Sequence, residues 1–220
     1  MAAPHLCPEI NANISSYDDL DYWLTTASKN PGNICFLRLD QTSGNWIQAP
    51  TIVEKIATTF PNVESLVLVN PDLTSRPSSN KPILYAPFED FSKKLTSLSL
   101  EDASQVDPLE LLRFISMFRE LENLRLDEFY LERTSSSTRF SAIGPRFRGK
   151  LTLSNIDESY GTCMITSFPR DWMAFEEVCL RKCSLSSPGG LKRLFDACKE
   201  TVKKVEISQV AVYGCNGSFH

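Results

Sequence analysis

The side chains that most often act as acids, bases or nucleophiles are few in this chain. Its two histidines are His5 and His220, close to the two ends of the sequence. This placement argues against a Ser–His, Cys–His or His–carboxylate arrangement of the kind that activates a nucleophile. The stretch from Ser187 to Gly190 is a turn that enters a helix, and it lacks the lysine of a phosphate-binding loop. We therefore expect no enzyme and no cofactor.

The cysteines do not have the spacing of metal ligands. There are seven, an odd number, at positions 7, 35, 163, 179, 183, 198 and 215. Cys179 and Cys183 are the closest pair, but a zinc site needs a second pair or a nearby histidine. We expect these thiols to be small buried side chains in an intracellular protein, and we expect no metal site.

Length and charge narrow the classes of partner. The chain has 220 residues, of which 42% are apolar, and a formal net charge of −4. That length suits one well-cored domain, and the acidic balance argues against nucleic-acid binding. No apolar run approaches the roughly 18 residues of a membrane span. Residues 1–14 also lack the basic and apolar regions of a secretory signal. We expect a cytoplasmic or nuclear protein that binds neither nucleic acid nor membrane.

One short pattern recurs seven times along the chain: apolar, two residues, apolar, one residue, apolar. The copies begin at Ile34, Val63, Leu95, Leu121, Arg148, Phe175 and Val202, at intervals of 29, 32, 26, 27, 27 and 27 residues. The fifth copy is degenerate, because Arg148 replaces an apolar residue, although Leu151 and Leu153 keep the phase. The last two apolar positions are two apart, as the buried face of a strand requires. Such a period is typical of a leucine-rich repeat; seven unrelated amphipathic strands are the alternative.

Helices are indicated between several of these segments. Residues 16–29 begin with Ser16 as a cap and Asp19 as its reciprocal partner, and a second helix begins at Pro50. Asp107, Pro108 and Glu110 form the strongest helix start, with a cap, a first-turn proline and a capping-box acid. Another helix follows Ser187–Pro188. At least three repeats therefore consist of a strand and a helix. Residues 70–94 and 132–148 indicate long loops, each either a solvated connection or a binding segment.

We predict a curved α/β leucine-rich repeat solenoid. About seven parallel strands line its concave face, and helices and irregular loops form its convex face. The last two apolar positions of each copy then form a buried ladder from strand to strand. The residues that alternate with this ladder point to the concave side. The predicted binding residues on that side are Phe36, Arg38, Asp40, Ser99, Glu101, Asn123, Arg125, Asp127, Lys150, Thr152, Glu177, Arg181, Lys204 and Glu206. Stacking would align Asp40, Glu101 and Asp127 in one column, interrupted by Val69, with Arg38 and Arg125 in the next. The alternative is an ordinary solvated face.

The turns after the strands do not follow the usual leucine-rich pattern. That pattern places Asn or Cys three residues beyond the last apolar position of each strand, where its side chain bonds exposed backbone. Here the position holds Thr42, Pro71, Ala103, Phe129, Ile156, Cys183 and Val210. Because only Cys183 fits, we expect irregular turns.

Three segments resemble a known family. They are Leu95 to Leu131 (LTSLSLEDASQVDPLELLRFISMFRELENLRLDEFYL), Arg148 to Leu153 (RGKLTL) and Phe175 to Val205 (FEEVCLRKCSLSSPGGLKRLFDACKETVKKV). They resemble the leucine-rich region of the F-box-like proteins of mushroom-forming fungi. The resemblance implies repeats that hold a substrate and an F-box that binds a Skp-type adaptor of a cullin ubiquitin ligase.

The chain departs from this family at its start. An F-box needs about forty residues before the repeats, but only Leu6–Ile10 and Ile14 resemble its opening. We therefore divide the chain into four parts: a tail with an F-box remnant (1–15), a capping helix (16–33), a leucine-rich repeat domain (34–210) and a C-terminal tail (211–220). The favoured function is a non-catalytic protein–protein interaction module for an unknown protein partner. The alternative is the substrate-recognition subunit of a cullin ubiquitin ligase.

Overall fold

The structure is a computed structural model of the chain. It describes residues 11–27, 34–42, 50–71, 73, 88, 91, 94–131, 145–157, 168–185 and 188–213. Both histidines, the F-box remnant at Leu6–Ile10 and most of the two predicted loops, 70–94 and 132–148, lie outside the described residues.

Eight strands form one open parallel sheet, and their order in the sheet is their order in the chain. They are β1 (Asn11–Ile14), β2 (Phe36–Asp40), β3 (Ser65–Val69), β4 (Ser97–Val106), β5 (Asn123–Leu131), β6 (Lys150–Ser154), β7 (Glu177–Arg181) and β9 (Lys204–Ser208). Two short strands, β8 (Ser184–Leu185) and β10 (Ala211–Val212), form a separate parallel pair. The predicted mixed α/β class with a parallel sheet is confirmed.

The seven predicted repeats coincide with β2, β3, β4, β5, β6, β7 and β9. Their register aligns the middle apolar position of every copy, which is held by Leu37, Leu66, Leu98, Leu124, Leu151, Val178 and Val205. The eighth strand, β1, was not predicted. Ala12 lies opposite Leu37 and Ile14 lies opposite Leu39, so β1 extends the same ladder. It carries only two alternating apolar residues, too few for the repeat pattern to detect.

Four α-helices connect the strands within the described ranges: α1 (Tyr17–Ala27), α2 (Pro50–Thr59), α3 (Pro108–Ser116) and α4 (Pro188–Cys198). Each overlaps a predicted helix. The Ser16 hydroxyl caps α1 by accepting the Asp19 N–H at 3.1 Å. The Asp19 carboxylate accepts from the N–H and hydroxyl of Ser15, so the reciprocal bond goes one residue earlier than predicted. The Asp107 carboxylate caps α3 by accepting the N–H groups of Leu109 and Glu110.

The hydrophobic core lies on one side of the sheet. The ladder residues of β1 to β7 and the inward residues of the helices, such as Ile56, Ile115 and Leu194, belong to one buried cluster. Val67 and Val69 point to the other face; both are buried, but neither is part of that cluster. Parallel sheets usually have both faces covered. Here no described element lies on the second face, so it is called the open face below.

The turns after the strands are more regular than predicted. A residue with left-handed backbone, φ between 51° and 55°, directly follows the five-residue strand core in six successive repeats: Asn70, Asp102, Glu128, Asn155, Lys182 and Gln209. Its N–H continues the backbone hydrogen bonding between neighbouring strands, as in the bond that the Asn155 N–H donates to the Arg181 carbonyl oxygen at 3.0 Å. The chain then turns inward, so that Ala103, Phe129 and Ile156 are buried at the next position. Apolar burial there replaces the polar side chain of the usual repeat.

The degenerate fifth copy is repaired by an aromatic residue. Arg148 is exposed, but Phe147 beside it is completely buried. Its ring stacks on Phe175 of the next copy, with centroids 4.9 Å apart and an interplanar angle of 12°. Since aromatic rings bury a large apolar area, one stacked pair can fill the missing ladder position.

The left-handed turns predict a stabilising substitution. A non-glycine residue in this region costs about 1–2 kcal/mol, whereas glycine adopts it freely at a cost of about 0.5–1 kcal/mol in chain entropy. We expect Lys182→Gly to raise the free energy of unfolding by about 0.5–1 kcal/mol, measured by urea denaturation. Lys192→Gly, at an exposed position of α4, is the matched control and should lower it by about 1 kcal/mol. Equal losses from both changes would contradict the role given to the turn.

Candidate binding face

All fourteen predicted binding residues lie on strands of the sheet, at positions that alternate with the ladder. Because Leu37 and Leu39 are completely buried on the core side, Phe36, Arg38 and Asp40 point to the open face. The register places Asp40, Val69, Glu101 and Asp127 in successive strands at the same level. The predicted column is therefore present. The binding role of these residues stays a prediction.

The charges of the open face balance each other. Five of the fourteen predicted residues are basic and five are acidic. Nine of these ten form ion pairs on the face itself: Arg38–Glu101, Arg125–Asp127, Lys150–Glu177, Lys204–Glu177 and Arg181–Glu206. The tenth, Asp40, accepts hydrogen bonds from the N–H and hydroxyl of Thr42. A face with this balance does not attract a partner through net charge; it has a patterned polar surface instead.

The pair of Arg38 and Glu101 crosses a whole strand. Arg38 belongs to β2 and Glu101 to β4, yet their side chains meet at 2.7 Å. The guanidinium must therefore pass over β3, where Val67 and Val69 are each only 6% exposed. The hydroxyl of Ser99 donates a second hydrogen bond to Glu101 at 3.1 Å. The pair thus covers the apolar part of the open face and fixes the orientation of both charged groups.

A second group of charges lies at the other end of the face. Arg181 donates two hydrogen bonds to one oxygen of Glu206, at 3.0 and 2.7 Å. Hydrogen bonding to Arg181 lowers the pKa of the Glu206 carboxyl below its ordinary value, and the nearby charges of Arg181, Lys204 and Lys150 act in the same direction. Glu177 lies between Lys150 and Lys204, at 3.8 and 3.9 Å from their amino groups.

Asn123, one of the predicted binding residues, has a structural function. Its side-chain oxygen accepts a hydrogen bond from the backbone N–H of Lys150 at 2.8 Å and so joins the hydrogen bonding between β5 and β6. It can do so because position 149 is a glycine. A Cβ there would lie 2.3 Å from the Asn123 oxygen and 3.1 Å from the Glu122 carbonyl oxygen. The fifth repeat therefore depends on this close approach.

A depression of about 260 Å³ lies at the carboxyl ends of the central strands. Its lining residues are Arg38, Val69, Glu101, Asp102, Asp127, Glu128 and Asn155. Three of these, Asp102, Glu128 and Asn155, are left-handed turn residues that the sequence reasoning did not place on the face. The signal for them was available, since every left-handed position holds a polar residue and Asn and Asp are enriched in this conformation. Asn155 donates to Asp127 at 2.8 Å, which links the turn to the strand.

Three of the four described cysteines are buried, as predicted. Burial raises the pKa of the Cys198 thiol. The Cys183 thiol lies within hydrogen-bonding distance of the backbone carbonyl oxygens of Leu153 and Arg181. Within the described ranges, no cluster of three or more His, Cys, Asp or Glu side chains could hold a metal ion. None of the helices formed by the described residues has the length and apolar character needed to cross a bilayer.

No protein-family model, curated protein or solved structure matches this chain.

The close approach at Gly149 predicts an energetic coupling. We expect Gly149→Ala to lower the free energy of unfolding by about 1–3 kcal/mol, because the new methyl group displaces the Asn123 side chain and leaves the Lys150 N–H unpaired. Asn123→Ala removes the obstacle, so the double variant should lose less than the sum of the two single losses. Chemical denaturation of the four proteins measures this. Strictly additive losses would show that the two positions are independent.

The Arg181–Glu206 pair predicts a pH dependence of stability. The pKa of Glu206 is lowered in the folded chain. The stabilising contribution of the ionised Glu206 to folding is therefore fully present above the pKa of an unfolded glutamate. This contribution is lost as the pH falls through the lowered pKa of the folded state. We expect Arg181→Met to raise the Glu206 pKa, measured by carboxyl-carbon NMR titration, and to remove part of the acid-induced loss of stability. Arg193→Met, on α4, is the control. An unchanged Glu206 titration in Arg181→Met would rule out the assigned cause.

Proposed function

We propose that this chain is a leucine-rich repeat solenoid that binds another protein through its open face and catalyses no reaction. One observation carries the proposal: an in-order parallel sheet of eight strands with its core and helices on one side. In a stack of repeats, each unit buries its ladder against its neighbours and leaves the other face available. The ladder, the repeated left-handed turn and the successive intervals of 26 and 27 residues support this arrangement.

The arrangement of polar groups on the open face supports the proposal of a protein partner. Glu101 and Asp127, which line the depression, are paired with Arg38 and Arg125. The turn residues Asp102 and Glu128 add two further carboxylates to its lining. A partner with complementary polar groups gains hydrogen bonds in fixed geometry, and a basic side chain fits the depression. The same acidic depression is unsuited to a phosphate backbone.

The test is affinity capture from native cells with charge-reversed baits. The variant Arg125→Asp/Asp127→Arg reverses two open-face residues that contact each other. We expect a partner captured by the unaltered chain to lose at least about tenfold in affinity for this variant, since like charges then face its groups. The measurement is quantitative mass spectrometry followed by titration of the purified pair.

The matched control is Lys192→Asp/Asp196→Lys, which reverses an ion pair on the exposed side of α4. It should leave the same partner bound with unchanged affinity. If the open-face variant and the α4 variant retain every partner equally, binding does not use the open face. Purified Skp-type adaptor is added as a separate titrant for the ubiquitin-ligase alternative. Binding that is lost when residues 1–10 are deleted would favour that function.

A further inference from the structure

The last strand of the sheet has an uncovered ladder. In β7, Val178 is 1% exposed and Leu180 is fully buried, because β6 and β9 lie on either side. In β9, the equivalent Val205 and Ile207 are 46% and 53% exposed. Val212 and Tyr213, which follow in the chain, add further exposed apolar surface. Apolar residues in phase with a buried ladder indicate a surface that gains stability when another strand covers it.

The backbone of β9 is available for such a strand. The Lys204 N–H donates to the Glu176 carbonyl oxygen, and the Ser208 carbonyl oxygen accepts from the Lys182 N–H. The backbone groups of the even-numbered residues of β9 therefore face β7. Because successive residues of a strand point their backbone groups to opposite edges, Val205 and Ile207 direct theirs outward. Among the described residues, β9 pairs with β7 alone.

The charges of β9 select the partner strand. Lys204 and Glu206 flank Val205 on the open face. A second β9, antiparallel and centred on Val205, would place each Lys204 opposite a Glu206 and each Val205 opposite its own copy. Opposite charges directly across a pair of strands stabilise it. Centring the pair on Glu206 would instead oppose two carboxylates. A lysine on an edge strand normally discourages pairing. In this register Lys204 faces Glu206 of the other copy, in addition to Glu177 of its own chain at 3.9 Å.

We propose that two copies of this chain associate through β9, antiparallel, with Val205 on the two-fold axis. The contact is self-complementary, as a two-fold interface requires. In this register Ile207 lies opposite Lys203 of the other copy. The amino group of Lys203 contacts Glu176 of its own chain at 2.8 Å, and its aliphatic stem covers Ile207. The two sheets become continuous, and the two open faces lie side by side on the same surface. This association does not depend on the proposed function.

The test uses sedimentation velocity and light scattering of the full chain over a dilution series. The unaltered chain should form a dimer. Lys204→Glu alone and Glu206→Lys alone should each weaken the dimer at least about tenfold, because each places two like-charged pairs in contact. An equimolar mixture of the two variants should dimerise again, since every cross-strand pair is then opposite in charge.

Lys192→Glu, a reversal on α4, is the matched control and should dimerise like the unaltered chain. Rescue in the mixture also shows that both variants are folded, and circular dichroism of each variant checks this independently. A chain that is monomeric throughout the series would overturn the proposal. So would single variants that dimerise normally, or folded variants whose mixture stays monomeric.

Discussion

The whole fold depends on one packing constraint: a strand with apolar residues on one side is stable only when neighbouring strands and a covering helix remove that side from water. The ladder residues of β2 to β7 are 0–3% exposed, and no single repeat could bury them alone. Burial in the next repeat supplies the free energy that orders the previous one. The sheet therefore grows in one direction, in the order of the chain, and in its last described strand the ladder residues Val205 and Ile207 are 46% and 53% exposed.

The same constraint produces the open face. The described helices lie on the ladder side and do not cover the opposite side, so the alternating residues of the strands contact one another. They do so by pairing charges across strands, even across an intervening strand in the case of Arg38 and Glu101. The resulting face is electrically balanced but chemically varied. This combination favours recognition by local geometry over long-range attraction.

Local departures from the repeat are compensated by neighbours in space. Phe147 supplies the apolar side chain that is missing at position 148, and it does so by stacking on Phe175. Asn123 bonds into the next strand where Gly149 leaves room. Neither compensation is visible in the spacing of the sequence, because each joins residues from different repeats. A side chain such as Asn123, which the pattern assigns to recognition, is thereby used to hold two strands together.

The repeat pattern was enough to predict seven strands, their parallel alignment and the columns of charges, because the regular spacing fixes how the strands stack. The capping residues and prolines predicted the four described helices, because they act through local propensity. The repeat pattern missed β1, whose four residues carry too little of the pattern, and it predicted irregular turns where six residues share one left-handed conformation. Three residues with this conformation, Asp102, Glu128 and Asn155, line the depression beside the ends of the central strands. Which charges pair, which polar side chains are structural and which edge stays uncovered were decided by the tertiary structure, since these properties arise from contacts between repeats.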